Sequence, residues 1–142
     1  MNLVLLQKED FTSNGRVKLH DRRYVHIRDV LQACSGDQIQ VGLLGGKMGT
    51  GTIADISPHN IEVDIQLSKD PPQALPITLI LAMPRPKVFK RVLQSVTALG
   101  VKRIVLINSW RVDKSYWKSP VLDAGSLLEH QILGLEQARD TI

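Results

Sequence analysis

Apolar and polar residues alternate along the first half of the chain in a pattern that predicts short strands. From Ile61 to Leu67, isoleucine, valine and leucine occupy every second position, and acidic or amide residues occupy the others. This period of two is typical of a strand that buries one face. Similar short runs predict four more strands, at residues 3–6, 15–19, 38–41 and 50–56.

One helix is predicted among these strands, from about Arg22 to Cys34. Asp21 precedes it and is a residue type that caps helix N-termini, whereas Gly36 is a natural left-handed stop after it. Five strands and one helix in about 70 residues predict a small β-barrel. The expected apolar stripe of the helix is Tyr24, Ile27, Val30 and Leu31.

The hydrophobic period changes after Pro71-Pro72, which we interpret as the join between two domains, residues 1–72 and 73–142. The runs Ile77–Met83 and Arg103–Ile107 are nearly continuous and apolar, as in parallel strands buried on both faces. A helix between them would complete one βαβ unit.

That helix is predicted to begin at Pro86 and to end at Gly100. A last helix is predicted to open at Ser119-Pro120. Two strands and two helices leave a parallel sheet only partly covered, so the second domain is expected to be a fragment or to need a partner. The predicted stripes are Val88, Val92, Val96 and Leu99, with Phe89 and Leu93, in the first helix, and Leu128, Ile132 and Leu135 in the last.

Composition narrows the class of protein. The 142 residues are 43% apolar and 23% charged, as in folded globular domains. No apolar run approaches the roughly 20 residues that span a bilayer, so no membrane partner is expected. Cys34 is the only cysteine, which excludes an intrachain disulfide and fits a reducing cytoplasm. The four dispersed histidines predict no metal site.

Positive charge is concentrated in the second half. The net charge is +4 over the whole chain, but residues 85–118 contain nine lysines and arginines against one acid, Asp113. A basic solvated surface is the simpler interpretation. A phosphate-facing surface is the functional one, because neutralising phosphates releases counterions and drives nucleic-acid binding.

Two clusters are the candidate RNA-binding residues. Arg22, Arg23, His26 and Arg28 share the short N-terminal helix, where a solvated helix face competes with an RNA-facing role. Arg85, Lys87, Lys90 and Arg91 surround the start of the βαβ helix. Ligands of open α/β sheets bind beyond the carboxyl ends of strands, and helix N-termini favour anions.

Three aromatic residues lie among basic ones, at Trp110, Tyr116 and Trp117. Base stacking and packing against the domain explain them equally well. The sequence contains no P-loop, no dinucleotide-binding glycine fingerprint, no HExxH motif and no GxSxG motif, so these common catalytic classes are excluded.

Several motifs together resemble the bacterial 16S ribosomal RNA uracil-N3 methyltransferases of the SPOUT class, over essentially the whole chain. The most specific match is Leu81-Ala82-Met83-Pro84-Arg85-Pro86-Lys87 followed by residues 92–104. Further matches are His26–Leu31 with Gly36-Asp37, Ser109-Trp110-Arg111 and residues 135–139. Ala98 and Gln32 depart from that family's usual residues.

The resemblance implies an α+β two-domain protein. Its N-terminal domain would be a PUA-like RNA-binding β-barrel, followed by the first part (βαβα) of a SPOUT-type α/β methyltransferase domain. The resemblance also implies S-adenosyl-L-methionine as cofactor, 16S rRNA or the small ribosomal subunit as partner, and a homodimer. The cofactor-binding knot of that family would lie beyond Ile142, so no cofactor-binding residue is expected in this chain.

The functional hypothesis is therefore methylation of N3 of a uridine in 16S rRNA by a longer parent protein, this chain being an inactive N-terminal fragment. The N3 atom must lose its proton, so the site must favour the anion. A nearby arginine is one way to do this, because a positive neighbour stabilises the deprotonated form, and Arg111 is the only candidate catalytic residue in the chain. The alternative is a non-enzymatic RNA-binding module. A structural or assembly protein is disfavoured by the asymmetry of charge.

Overall fold

The computed structural model describes residues 1–12 and 15–142. It divides into two compact units: unit 1, residues 1–71 with 139–142, and unit 2, residues 72–138. The sequence assigned the last four residues to the second domain, and the structure corrects this. The Thr141 hydroxyl donates a hydrogen bond to the carbonyl of Gly46, and the amide of Gly45 donates to the carbonyl of Thr141 at 2.7 Å.

Unit 1 is built on one five-stranded sheet, and each of the five predicted strands is confirmed. The strand order is β1-β3-β4-β5-β2, with β1 and β3 parallel and the other pairs antiparallel. The strands are β1 (Val4–Leu6), β2 (Arg16–Leu19), β3 (Gln38–Leu43), β4 (Met48–Ile56) and β5 (Ile61–Lys69).

A single apolar core lies against this sheet. The predicted alternation in β5 holds over its first half, where Ile61 and Val63 are buried while Glu62 and Asp64 reach solvent. The core also contains Leu6 of β1 and Val17 of β2, which come from the two edge strands. The sheet therefore curls around one core, because only a curved sheet brings the side chains of both edges together.

The helix predicted over residues 22–34 is shorter, and this expectation is wrong in its second half. Helix α1 covers Arg22–Val25 and continues as a π-helical turn over His26–Val30. The wider turn shifts later residues out of phase with the buried Tyr24 and Ile27. Val30 and Leu31 are consequently exposed, by 66% and 47%. The predicted cap is confirmed, because the Asp21 carboxylate accepts from the amide of Arg23.

Unit 2 contains the predicted strand, helix, strand and helix. Strands β6 (Thr78–Ala82) and β7 (Arg103–Ile107) are parallel, and α2 (Pro86–Ala98) connects them. The last helix, α3 (Ala124–Ala138), begins later than predicted. Ser119 instead caps a single 3-10 turn over Pro120–Leu122.

The burial of Phe89 and Leu93 confirms part of the stripe predicted for α2, whereas the exposure of Val88 and Leu99 corrects the rest. Phe89, Leu93 and Thr97 are buried, whereas Val88 is 37% exposed and Leu99 is 73% exposed. The two rows are neighbours on the helix surface, so the helical period alone does not choose between them. Packing against α3 selects the Phe89 row.

The small parallel sheet of unit 2 is covered on one face only, which corrects the prediction that both faces are buried. Leu81, Ile104 and Leu106 contact the unit 2 core around Phe89. On the other face, Ile80 is 65% exposed beside its register neighbour Val105. The expectation of a partly covered sheet is therefore confirmed within unit 2.

Candidate RNA-binding surfaces

Arg23 is a structural residue, and the prediction that it faces RNA is corrected. Its side chain is buried, at 6% exposure, and all five of its N–H groups donate. Nη1 and Nη2 bind the carboxylate of Asp10 at 2.6 and 2.7 Å, and Nη1 also donates to the carbonyl of Leu5. Nε and Nη2 bind the carboxylate of Asp21 at 2.8–3.0 Å. No donor is left for a phosphate.

The ionisation of this cluster reflects its geometry. Burial by itself raises the pKa of Asp21, but the hydrogen bonds from Arg23 and its charge outweigh burial and leave that pKa below its usual value. Burial likewise opposes the charge of Arg23, while hydrogen bonds to Asp10 and Asp21 raise its pKa. We call Arg23, Asp10 and Asp21 together the Arg23 ion triad, in which the side chains of Arg23 and Asp10 are buried and that of Asp21 is 46% exposed.

Arg28 stays near the surface but is partly occupied. Its guanidinium lies 4.9 Å from the ring centroid of Tyr24 and donates to the Tyr24 hydroxyl at 2.8 Å. It also binds the Asp29 carboxylate through Nη2 at 2.8 Å. This hydrogen bond lowers the pKa of Asp29. Arg28 is exposed, but its charge is locally compensated by Asp29.

Arg22 and His26 lie on the same side of unit 1. Nη1 of Arg22 is 3.9 Å from the sulfur of Met1, and both Met1 and His26 line one pocket. The Nε2 atom of His26 is buried and has no hydrogen-bond partner among the described residues. Of the four N-terminal candidates, His26 lines the pocket, Arg22 contacts the lining residue Met1, and Arg23 is removed from the surface.

The second candidate cluster is fully exposed. Arg85, Lys87, Lys90 and Arg91, here named the α2 cation cluster, are all exposed at the start of α2. In the described parts of the chain, none of the four forms a salt bridge. Pro86 occupies the first helical turn, which contains no acidic residue. The helix N-terminus and the side chains therefore add positive potential at the same place.

This cluster shares its edge with the residues that follow β7. Because β6 and β7 are parallel, their carboxyl ends meet, and the amide of Met83 donates to the carbonyl of Ile107 at 3.0 Å. Trp110 is 99% exposed, and Arg111 beside it is exposed as well. Tyr116 packs instead against the unit 2 core. Packing therefore explains Tyr116, whereas the exposed ring of Trp110 is available for base stacking.

The described residues alone do not fit a complete S-adenosylmethionine site at this edge. A nucleoside cofactor is normally held in a concave pocket that buries most of its surface. Here the side chains that follow the two strands, Arg85, Asn108, Ser109 and Trp110, are all exposed. These exposed side chains form an open edge and do not enclose a cofactor.

A metal site and a membrane-spanning helix are both absent from residues 1–12 and 15–142. No group of three or more histidine, cysteine, aspartate or glutamate side chains in residues 1–12 and 15–142 is arranged to hold a metal ion. Within the same ranges, no helix combines the length and the apolar character needed to cross a membrane.

Sequence reasoning missed Gln38, Gln40 and Arg139, which line the same pocket as His26. Its walls come from segments near residues 1, 26, 38 and 139. Residues so far apart carry no common period or motif. Only the pairing of β1 with β3 and the return of the chain end to unit 1 bring them together.

Comparison with known proteins gives a consistent result. A family model described as RNA methyltransferase domain matches residues 71–142. The Ribosomal RNA small subunit methyltransferase E of Treponema pallidum is 29% identical over 143 residues, and the Ribosomal RNA small subunit methyltransferase E 1 of Borreliella burgdorferi is 25% identical over 141. Each alignment covers 99% of this chain but only 54% and 58% of those relatives. The chain thus spans little more than half their length.

Among solved structures, the chain resembles a Ribosomal RNA small subunit methyltransferase E from Neisseria gonorrhoeae bound to S-adenosyl methionine. The TM-score is 0.68 at 22% identity, covering 99% of this chain and 58% of that one. At this identity the likeness establishes the fold.

Proposed function

Since this chain belongs to the RNA methyltransferase domain family, we propose that it is the RNA-binding N-terminal part of a longer enzyme. That enzyme would transfer a methyl group from S-adenosylmethionine to N3 of a uridine in 16S rRNA. The names of the two relatives support a small-subunit rRNA as substrate, and the cofactor named with the Neisseria gonorrhoeae structure supports S-adenosylmethionine. In this proposal unit 1 is a PUA-like barrel and unit 2 is the first part of a SPOUT domain.

The observation that carries the proposal is the α2 cation cluster. Its four cations are exposed, without salt bridges among the described residues, and lie at the strand edge where α/β proteins bind ligands. An enzyme that acts on a base inside a folded RNA needs such backbone contacts to position the strand. The N-terminal residues Arg22, His26 and Arg28 would add contacts from unit 1.

Arg111 is the proposed catalytic residue of this part of the enzyme. N3 of uridine carries a proton at neutral pH and is nucleophilic only after losing it. A guanidinium next to the base stabilises the anion, because a positive neighbour favours the deprotonated form. Arg111 is exposed at the margin that follows β7, close in sequence to the exposed ring of Trp110.

Assembly and location follow from the same proposal. The bare face of the β6–β7 sheet and the exposed Val88 row of α2 are apolar surfaces that a second subunit could cover, as in the homodimer the resemblance implies. Because the proposed substrate is ribosomal RNA, we propose a cytoplasmic location and neither a metal nor a membrane as partner.

Two experiments test this function. Binding of a 16S rRNA fragment is measured against salt for the chain and for a variant with Arg85, Lys87, Lys90 and Arg91 changed to glutamine. We expect weaker binding and a shallower slope, by about 0.7–0.9 per lost phosphate contact. The matched control neutralises Lys8, Lys18, Lys47 and Lys69. Equal slopes for both variants would contradict the proposed surface.

The second experiment uses the longer protein that carries this sequence. It is incubated with small ribosomal subunits and methyl-labelled S-adenosylmethionine, and the rRNA nucleosides are then analysed. The proposal expects label in N3-methyluridine of 16S rRNA. Label in another nucleoside would refute the assigned position, and RNA binding without any transfer would favour the alternative of a non-enzymatic RNA-binding module.

A further inference from the structure

A pocket of about 270 Å³ lies in unit 1, and all of its lining residues belong to that unit. Its apolar lining includes the buried Val4 of β1 and Ile39 of β3. Its polar lining residues are His26, Gln38, Gln40 and Arg139. The volume lies just below the range of roughly 300–1,000 Å³ typical of drug-sized ligands, so the pocket suits one small planar group.

The polar lining has the chemistry of nucleobase recognition. Amides both donate and accept, and glutamine forms paired hydrogen bonds with base edges. Arginine guanidinium groups and histidine rings stack on unpaired bases. The buried Nε2 atom of His26 lacks a partner among the described residues, and buried polar atoms of this kind are normally satisfied. His26 is one of the residues that line the pocket.

Backbone conformation singles out the same place. Among the described residues, only Gln32 and Arg139 have a positive φ without being glycine, at 49° and 54°. Arg139 lines the pocket, whereas Gln32 does not. Left-handed backbone is unfavourable for such side chains and recurs at ligand-binding positions.

Two arginines near the pocket could bind the phosphates on either side of a base. Arg139 is exposed at the pocket, and Arg22 contacts Met1, which forms part of the wall. We propose that this pocket binds a single unstacked nucleobase of the RNA, apart from the base that is methylated. This inference rests on the proposed function for the identity of the polymer, and on the pocket alone for the recognition of a base.

The first test separates base from phosphate. The 142-residue chain, labelled with ¹⁵N, is titrated with each of the four ribonucleoside 5′-monophosphates and, in parallel, with ribose 5-phosphate. We expect amide shifts confined to residues 1–4, 26–31, 38–40 and 139, with the monophosphates only. Equal shifts with ribose 5-phosphate, shifts elsewhere, or none up to about 10 mM nucleotide would overturn the proposal.

The second test uses two matched pairs of variants. Arg139→Gly and Gln32→Gly both place glycine at positive φ, so neither should lower the melting temperature. Only Arg139→Gly should weaken monophosphate binding, by about fivefold or more. Gln40 and Gln66 are exposed and flank the same residue, Thr50, in neighbouring strands. Gln40→Ala should weaken binding and Gln66→Ala should not. Equal effects within either pair would refute base recognition.

A parallel binding measurement with single-stranded RNA distinguishes the pocket proposal from the proposed RNA-binding function. If the chain binds RNA in a salt-dependent way but Arg139→Gly and Gln40→Ala have no effect on any probe, the pocket proposal is wrong and the proposed function stands. If monophosphates bind in the pocket while RNA does not bind, the pocket stands and the proposed RNA-binding function is wrong.

Discussion

Arg23 and Asp10, thirteen residues apart, are joined by two parallel hydrogen bonds of 2.6 and 2.7 Å in the interior of unit 1. Both side chains are less than a tenth exposed. The contact ties the turn after β1 to the start of α1. It converts a residue that looks like part of a basic surface into part of the core.

Removing one partner of this pair should be costly. Arg23→Ala leaves Asp10 charged and buried, and breaking a buried ion pair typically destabilises by about 3–5 kcal/mol. The control is Arg16→Ala, which breaks an exposed pair with Asp64 and should change stability by about 0–1 kcal/mol. Denaturant unfolding followed by NMR signals of unit 1 measures both. Similar values for the two variants would show that the triad does not stabilise the fold.

The stability of unit 1 should depend on acid through Asp21. Its pKa is lower in the folded state than its usual value of 3.8, so the folded state holds the proton less tightly than the unfolded chain. Its contribution is therefore complete above the usual pKa and is lost as the pH falls through the lowered one.

Asp21→Asn isolates this effect, because asparagine caps helices as well as aspartate does but carries no charge. We expect the variant to be less stable than the parent near neutral pH, with the difference shrinking in acid. Asp113→Asn is the control. The pKa of Asp113 is also lowered, by the Ser115 amide, but Asp113 lies in unit 2, so this variant should leave the pH dependence of unit 1 stability unchanged. A constant difference between Asp21→Asn and the parent across the acid range would contradict the assignment.

Gly134 of α3 should not tolerate a side chain. A Cβ there would lie 2.6 Å from the carbonyl oxygen of Gln94 and from Cβ of Thr97 in α2. Gly134→Ala should destabilise unit 2 by about 1–3 kcal/mol, although alanine is the better helix former. Gly125→Ala lies in the same helix with no atom within 4 Å, so it should be neutral or stabilising. Fluorescence of the tryptophans, both in unit 2, reports the unfolding.

The bare face of the β6–β7 sheet should drive association. Ile80→Thr with Val105→Thr keeps β-branched side chains but removes apolar surface, so self-association should weaken while unit 2 stays folded. Val25→Thr, at an exposed apolar position of unit 1, is the control. Sedimentation at several concentrations measures the effect.

Amide exchange at low concentration gives an independent check. At low concentration, residues 76–138 should be poorly protected unless a dimer persists, whereas residues 1–12, 15–70 and 139–142 should stay protected. Full protection of both parts in a proven monomer would mean that unit 2 is complete without a partner.

Cofactor binding by this chain alone is expected to fail. The side chains after β6 and β7 are exposed and form no enclosing wall, so calorimetry with S-adenosylmethionine should show no saturable binding. The longer protein is the positive control. A one-to-one complex of micromolar affinity with the 142 residues would reveal a site that the exposed margin does not indicate.

Features that depend only on residues close together in the chain could be predicted from the sequence. In β5 the side chains alternate because a strand has a period of two, and the buried Ile61 and Val63 follow from that period. The cap at Asp21 and the proline that begins α2 are local in the same sense. The basic segment was likewise visible, because charge is counted without a structure.

Tertiary structure decided which of several compatible surfaces is buried. Helix α2 has two adjacent apolar rows, and the close approach of α3 at Gly134 selects Phe89 and Leu93 over Val88. The same holds for Arg23, whose burial depends on Asp10 and on the carbonyl of Leu5, contacts that no spacing along the chain encodes. The pocket at Arg139 is the extreme case. Its walls meet only because the last four residues return to unit 1, and periodicity does not report contacts between distant segments.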